Sequence, residues 1–248
     1  MSQHTTDFGF REVPVVDKQR LVGEVFSSVA TRYDLMNDVM SMGLHRLWKR
    51  FAVAHTALRP GDHVLDVAGG TGDLSARLAS AVGSAGHVIC ADINGSMLRV
   101  GRDQLLDRGI GSNVEFVQAN AESLPFASNR FDAVTIAFGL RNVTDKQRAL
   151  ESMRSVLKPG GRLVVLEFSQ VVLPWLKQVY DRYSFNVLPR LGQIVAGDRD
   201  SYQYLVESIR KHPPQHELAN MMTQAGLERV DWCNLSGGIV AVHRGYRM

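Results

Sequence analysis

The sequence predicts an α/β fold: a doubly wound, mostly parallel sheet of seven strands that ends in a C-terminal antiparallel hairpin. Three observations carry this. Five short apolar runs recur between His63 and Phe168. Stretches with apolar residues at helical spacing separate most of them, and strand–helix alternation gives parallel strands joined by right-handed crossovers. Two closing segments, Gly226–Cys233 and Ile239–Tyr246, flank Ser236-Gly237-Gly238, a hairpin turn signal.

In chain order, residues 1–16 read as a mobile arm with a breaker at Pro14. Residues 17–55 read as N-terminal helices. Val22, Val25, Phe26 and Val29, then Leu44, Leu47, Trp48 and Phe51, recur at helical spacing around a polar break at Thr31–Asn37. Arg59-Pro60-Gly61-Asp62 is a turn. The expected strands are His63–Val67, His87–Asp92, Val114–Gln118, Phe131–Phe138 and Arg162–Phe168. The helices between them fall at Gly72–Ala81, Ser96–Arg108 and Lys146–Leu157. Residues 170–212 break the rhythm with Trp175, Tyr180, Tyr183, Phe185, Leu188, Tyr202, Tyr204 and Leu205. Such a helical insertion either packs on the core or forms a lid over an apolar substrate.

The 248 residues suit a single domain with one substantial core. A formal charge of +3 without a basic run argues against a nucleic-acid partner. Cys90 and Cys233 stand in no motif spacing, so neither a disulfide framework nor a metal site is expected, and a reducing cytoplasm fits. No apolar stretch approaches the roughly 18 residues of a spanning helix. The expected location is the cytoplasm, with room for contact at the inner face of a membrane.

The strongest chemical signal is Val64-Leu-Asp-Val-Ala-Gly-Gly-Thr-Gly-Asp-Leu-Ser75, an apolar strand running through a glycine turn into a helix. Gly69, Gly70 and Gly72 let the backbone bend and approach a ligand with no Cβ in the way. A dinucleotide fingerprint would put a third glycine where this chain has Ser75, which disfavours NAD. Asp66, on the strand before the loop, suits a cationic ligand such as S-adenosylmethionine (SAM) better than a pyrophosphate. Asp92 ends the next strand, where a carboxylate accepts hydrogen bonds from both ribose hydroxyls, helix capping being the alternative. Asn120 can bond an adenine amino group and the Ala121 amide a ring nitrogen, unless Asn120 only caps a turn. Met97 packs either on the adenine or in the helix core. Glycine loop, ribose acid and adenine clamp follow the order of a Rossmann-like class I SAM-dependent methyltransferase.

The run Tyr33-Asp-Leu-Met-Asn-Asp-Val-Met-Ser-Met-Gly-Leu-His-Arg-Leu-Trp48 resembles a signature of the ubiquinone/menaquinone biosynthesis C-methyltransferases, bacterial bifunctional members above all. Val156–Ser169 resembles their second signature, and Phe138–Val143 and Gly237–Tyr246 also look like family sequence. The likeness runs from about Phe8 to Tyr246. Ser155 stands where the family usually has Arg, and Ala137 replaces a Ser that some members use beside the cofactor, so neither contact carries over. The resemblance implies cofactor roles for Thr71, Asp92, Asn120 and Ala121. It also implies polyprenylated quinol acceptors: demethylmenaquinol and 2-methoxy-6-polyprenyl-1,4-benzoquinol, methylated on a ring carbon. Another small hydrophobic acceptor is the alternative, and a homodimer or a quinone-biosynthesis complex is compatible with the family.

For catalysis, Arg141 follows the fourth strand, and Gly139 permits a turn that would aim it at a phenolate; pairing with an acid is the alternative. Tyr33, Asp34, Asn37 and His45 come from an N-terminal segment able to fold over the cofactor mouth. His45 is the base candidate by its intrinsic pKa, against a helix-packing role.

Overall fold

A computed structural model describes residues 5–30, 33–184 and 199–248. The chain opens with β1 (Thr5–Phe8), β2 (Arg11–Pro14), α1 (Val15–Val29), α2 (Tyr33–Ser41) and α3 (His45–Thr56). It alternates through β3 (His63–Val67), α4 (Asp73–Val82), β4 (His87–Asp92), α5 (Gly95–Asp107) and β5 (Val114–Gln118). Then come β6 (Phe131–Ala137), α6 (Lys146–Val156), β7 (Leu157–Phe168), α7 (Pro174–Arg182), α8 (Arg199–Lys211), α9 (Gln215–Gln224), β8 (Glu228–Leu235) and β9 (Val240–Tyr246).

The seven-stranded sheet has the order β5-β4-β3-β6-β7-β9-β8, with β5, β4, β3, β6 and β7 paired in parallel and β9 antiparallel to both its neighbours, β7 and β8. The winding reverses between β3 and β6, so the crevice at their C-terminal ends is where an open α/β sheet binds its ligand. The strands read as unbroken apolar runs because both faces are covered. Val64 and Val88 face Leu74, Leu78 and Val82, while Leu65, Ile89 and Val134 face Leu150, Met153, Leu218 and Met222. Asn94 starts α5 by accepting from the N–H groups of Ser96 (2.9 Å) and Met97 (3.2 Å), and Asp145 starts α6 by accepting from Arg148 N–H (3.0 Å).

Four expectations need correction. The supposed arm is, in its described part, the β1–β2 hairpin. Phe8 is buried and stacks on Tyr204 with ring centroids 4.4 Å apart, an apolar anchor that a local reading of a polar segment overlooks. The polar break expected at Thr31–Asn37 is helix from Tyr33 on, because Met36 and Met40 supply α2 with a buried stripe. The fourth strand stops at Ala137, since Phe138 turns left-handed (φ 56°). The fifth begins five residues early, at Leu157, which pairs with Phe131 across an irregular register.

Within residues 170–212, α7 and α8 are described, while Phe185, Leu188 and the rest of 185–198 lie outside the described residues. Tyr202, Leu205, Val206 and Ile209 of α8 pack with Trp48, Phe138 and Phe168, so this part of the insertion builds core. No described helix is long and apolar enough to cross a membrane.

Candidate active site

At the switch point a cleft of about 830 Å³ opens, lined by the ends of β3, β4, β5 and β6 and roofed by α1 through Gln19, Val22, Gly23 and Phe26. A smaller pocket of about 350 Å³ shares Ala68, Gly70 and Phe138 with it and reaches Lys49, Asp66, Thr71 and Asp73.

The turns that shape this space are strained. Ala68 after β3 (φ 53°) and Phe138 after β6 (φ 56°) both adopt left-handed backbone without being glycine. Such residues cost of order 1–3 kcal/mol each and persist where surrounding structure over-determines them. The two turns meet at Gly139, where a Cβ would lie 2.5 Å from that of Ala68. Gly139 is therefore glycine for close approach, and the sharp turn expected there belongs to Phe138.

Asp92 is held ready rather than spent as a helix cap, since Asn94 does the capping. Its Oδ2 accepts from Gly70 N–H (2.9 Å) and its Oδ1 from Asn94 N–H (2.8 Å), bonds that hold the carboxylate in place at the cleft. Burial raises its pKa, and the N–H groups of Asn94, Gly70 and Ile93 partly offset that. Gly70 (φ 56°) keeps the floor open: a Cβ would stand 3.2 Å from Met97 Cε. Asp66 is buried at the smaller pocket and accepts from Ser75 Oγ (2.6 Å) and Thr135 Oγ1 (2.8 Å). Burial pushes its carboxyl up to about 6 against those two bonds. Ser75 thus stands where a dinucleotide site has glycine because it fixes the acid. Asn120 and Ala121 line the large cleft, and Asn120 Oδ1 also accepts from Glu122 N–H (2.9 Å), so the turn-capping use is real as well.

Asp66, Gly70, Thr71, Asp92, Asn120 and Ala121 come together as expected; three other residues do not. Gly72 is absent from both linings. Its left-handed φ of 77° starts α4, and its open side packs on Leu105. Arg141 is turned away from the cleft. Its guanidinium pairs with buried Glu167 (2.7 Å), donates to Phe138 O and lies over the Phe168 ring, while its backbone N–H donates to Glu167 Oε2 (3.2 Å). A buried guanidinium needs a countercharge, and Glu167 supplies it from the neighbouring strand. His45 is buried at the α2–α3 corner, bonded through Nε2 to Asp38 (2.8 Å), with burial holding its pKa below the ordinary value. It packs the corner. Tyr33 opens α2, and its side chain lies outside the described residues.

Sequence reasoning missed several groups. Lys49 of α3 pairs with Asp73 (2.9 Å) at the smaller pocket. The Asn94 amide donates to Gly23 O (3.2 Å) and Ser27 Oγ (3.0 Å), tying the roof helix to the cap of α5. Lys18, buried one turn before Val22 on the roof stripe, donates to Val143 O (3.4 Å), and burial lowers its pKa to about 8. The i, i+4, i+8 spacing of Lys18, Val22 and Phe26 was the only signal for this face.

The donor set fits SAM. Asp92 and Asp66 put carboxylates on the two adjoining pockets, a Cβ at Gly70 would crowd the floor, and Val22 and Phe26 give the roof an apolar face. Fold and site together define a class I SAM-dependent methyltransferase. The family model described as "ubiE/COQ5 methyltransferase family" matches residues 13–247. The chain belongs to that family and is a SAM-dependent C-methyltransferase of ubiquinone and menaquinone biosynthesis. Relatives named "Ubiquinone/menaquinone biosynthesis C-methyltransferase UbiE" are 59% identical in Idiomarina loihiensis, over 99% of this chain and 98% of that protein, and 61% identical in Ectopseudomonas mendocina, over 98% and 95%. The crystal structure of a SAM-dependent methyltransferase from Thermotoga maritima superposes with a TM-score of 0.63 at 19% identity, covering 91% of this chain and 99% of that one, a likeness of fold.

Proposed function

We propose that the chain methylates a ring carbon of prenylated quinols, with demethylmenaquinol and 2-methoxy-6-polyprenyl-1,4-benzoquinol as acceptors, at the cytoplasmic surface of the membrane that holds them. The observation that carries this is the pairing of two unlike surfaces in one cleft: a polar floor of Asp92, Gly70 and Asn120 under an apolar wall of Val22, Phe26, Val67, Ala68 and Phe138.

Bound SAM supplies an electrophilic methyl group on a sulfonium. The chain's own work is to hold and to dry. Asp92 receives the ribose hydroxyls, Asp66 faces the ammonium, and Asn120 with the Ala121 amide receives the adenine edge. Val22 and Phe26 keep water from the acceptor, and alignment of the two reactants in one cleft supplies much of the acceleration. The carbon ortho to a phenolate is the nucleophile: as it bonds the methyl group the sulfonium C–S bond would break to leave a neutral thioether, and the ring proton would then pass to solvent as the ring regains aromaticity. Arg141 acts as a positioning residue, fixing the Phe138–Asn142 turn through Glu167.

Methyl transfer from labelled SAM to one quinone, with and without dithionite, tests the reading by product mass. The quinol is expected to gain one methyl group and the oxidised quinone none, because the quinone ring is electron-poor. Equal rates overturn the phenolate mechanism. Turnover of a simple phenol or sterol in preference to any quinol overturns the acceptor.

A further inference from the structure

The outer face of α3 differs from that of a helix turned only to water. Leu44, at its start, Leu47 and Phe51 follow at i, i+3 and i+7, and all three are exposed, Leu47 at 58%. Arg46 and Arg50, one turn apart, lie exposed beside that stripe, Arg46 paired with Asp38 of α2 (2.7 Å). From His45 to Thr56 the helix holds no acidic residue. Its inner face carries Trp48 and Ala52 into the core and Lys49 to the smaller pocket.

A second apolar ledge adjoins. Trp48 Nε1 donates to Ser236 Oγ (3.0 Å), which seats the Ser236–Gly238 turn against α3. Val172 N–H donates to Gly237 O (2.9 Å), which sets the following residues beside that turn. There Leu173 is exposed, and so is Trp175, at 66%. Exposed apolar residues of this kind on two linked segments mark an interaction site.

The mix of groups selects the occupant. A second copy meeting this face across a two-fold axis would set the same arginines against each other. An anionic bilayer matches the exposed groups: acyl chains take Leu47 and Phe51, the interface takes the Trp175 indole, and headgroup phosphates take the Arg50 guanidinium. We propose that the α3 face and the Leu173–Trp175 ledge dock on an anionic lipid surface, from which the prenylated acceptor enters the cleft. This rests on the quinol reading above. Docking there would bring lipid within about one helix diameter, roughly 10–12 Å, of the pocket that Lys49 lines.

Flotation of the full chain with vesicles of phosphatidylglycerol and phosphatidylcholine, against phosphatidylcholine alone, tests it. The wild-type chain is expected to float with the anionic vesicles. Leu47→Glu/Phe51→Glu, and separately Arg50→Glu, should weaken that binding by roughly tenfold or more. Their SAM affinity by calorimetry and their turnover of a short-tailed quinol in solution should stay within about twofold, whereas turnover of a long-tailed quinol in vesicles should fall with binding. Wild-type chain that stays off anionic vesicles, or variants that float like wild type, overturn the proposal. So does a wild-type dimer in sedimentation that Leu47→Glu/Phe51→Glu splits without any change in flotation, which would make the face a contact between copies. If no quinol is methylated in any form, the acceptor reading falls while the flotation result still decides the docking surface.

Discussion

Two carboxylates, buried Asp66 and half-buried Asp92, define the cofactor end of the site. Asp92→Ala should weaken SAM binding by about 1.5–3 kcal/mol, the range for hydrogen bonds to a charged group, with the fold retained. Calorimetric titration with unchanged affinity would remove the ribose assignment. Asp66 makes a different prediction, because burial raises its carboxyl to about 6. If its charge faces the SAM ammonium, affinity should rise as pH climbs through 6, and Asp66→Asn should flatten the profile. Both acids were legible from their place at strand ends around a glycine loop. The partners that fix them were not: Ser75 and Thr135 reach Asp66 from 9 and 69 positions away, and only the folded sheet brings them to it. Arg141 shows the opposite error. Its position beside the cleft was right in sequence, yet Glu167 lies 26 positions away, and its pull on the guanidinium is invisible along the chain. Removing one partner of a buried pair costs about 3–5 kcal/mol. Arg141→Ala should therefore lower the urea midpoint as well as activity, and Arg141→Met/Glu167→Leu should recover most of the stability.

Helix α1 is the element whose role changed most between sequence and structure. Its apolar spacing predicted a helix with one buried stripe, which α1 has, but not what that stripe covers. Val22 and Phe26 roof the cleft, while Asn94 pins the backbone at Gly23 and Ser27. The aromatic insertion had read equally as core packing or as a lid, because bulky residues cluster there, and its helix α8 packs against α1 and β1. Phe26→Ala should speed SAM release several-fold in stopped-flow experiments and leave the melting temperature nearly unchanged, since the side chain is only partly buried. A release rate equal to wild type would move the roof elsewhere.

Across the whole molecule, buried titratable groups set an acid limit. His243 is held near 4 by burial, against the Gln215 carbonyl that favours its protonated form, and burial holds His212 well below its ordinary value. A histidine whose folded pKa is depressed binds fewer protons folded than unfolded. Its contribution is complete above the unfolded pKa near 6.5 and is lost as pH falls toward the folded value, about 3 kcal/mol for His243. Asp66 runs the other way: its folded pKa is raised, so acidification from 6 to 4 stabilises the fold through it. Asp92 is raised in the same sense and His45 is depressed like the other two histidines, so three histidines stand against two aspartates and the urea midpoint should fall between pH 7 and 5. It should fall more steeply in Asp66→Asn, where part of the opposing effect is gone. A midpoint flat over that range would show that the histidines are hydrated.

The sequence by itself determined the sheet, its parallel start and antiparallel close, the glycine loop and the two acids. Each of these rests on local periodicity, on glycine backbone freedom, or on the spacing of one strand end from the next. Tertiary structure alone decided what covers the cleft, which cation is neutralised, and which glycine is small for contact rather than for turning. Gly139 is glycine because Ala68 approaches from a strand whose own residues lie some 70 positions earlier. Contacts of that kind depend on how packed elements meet in three dimensions, and no periodicity along the chain encodes them.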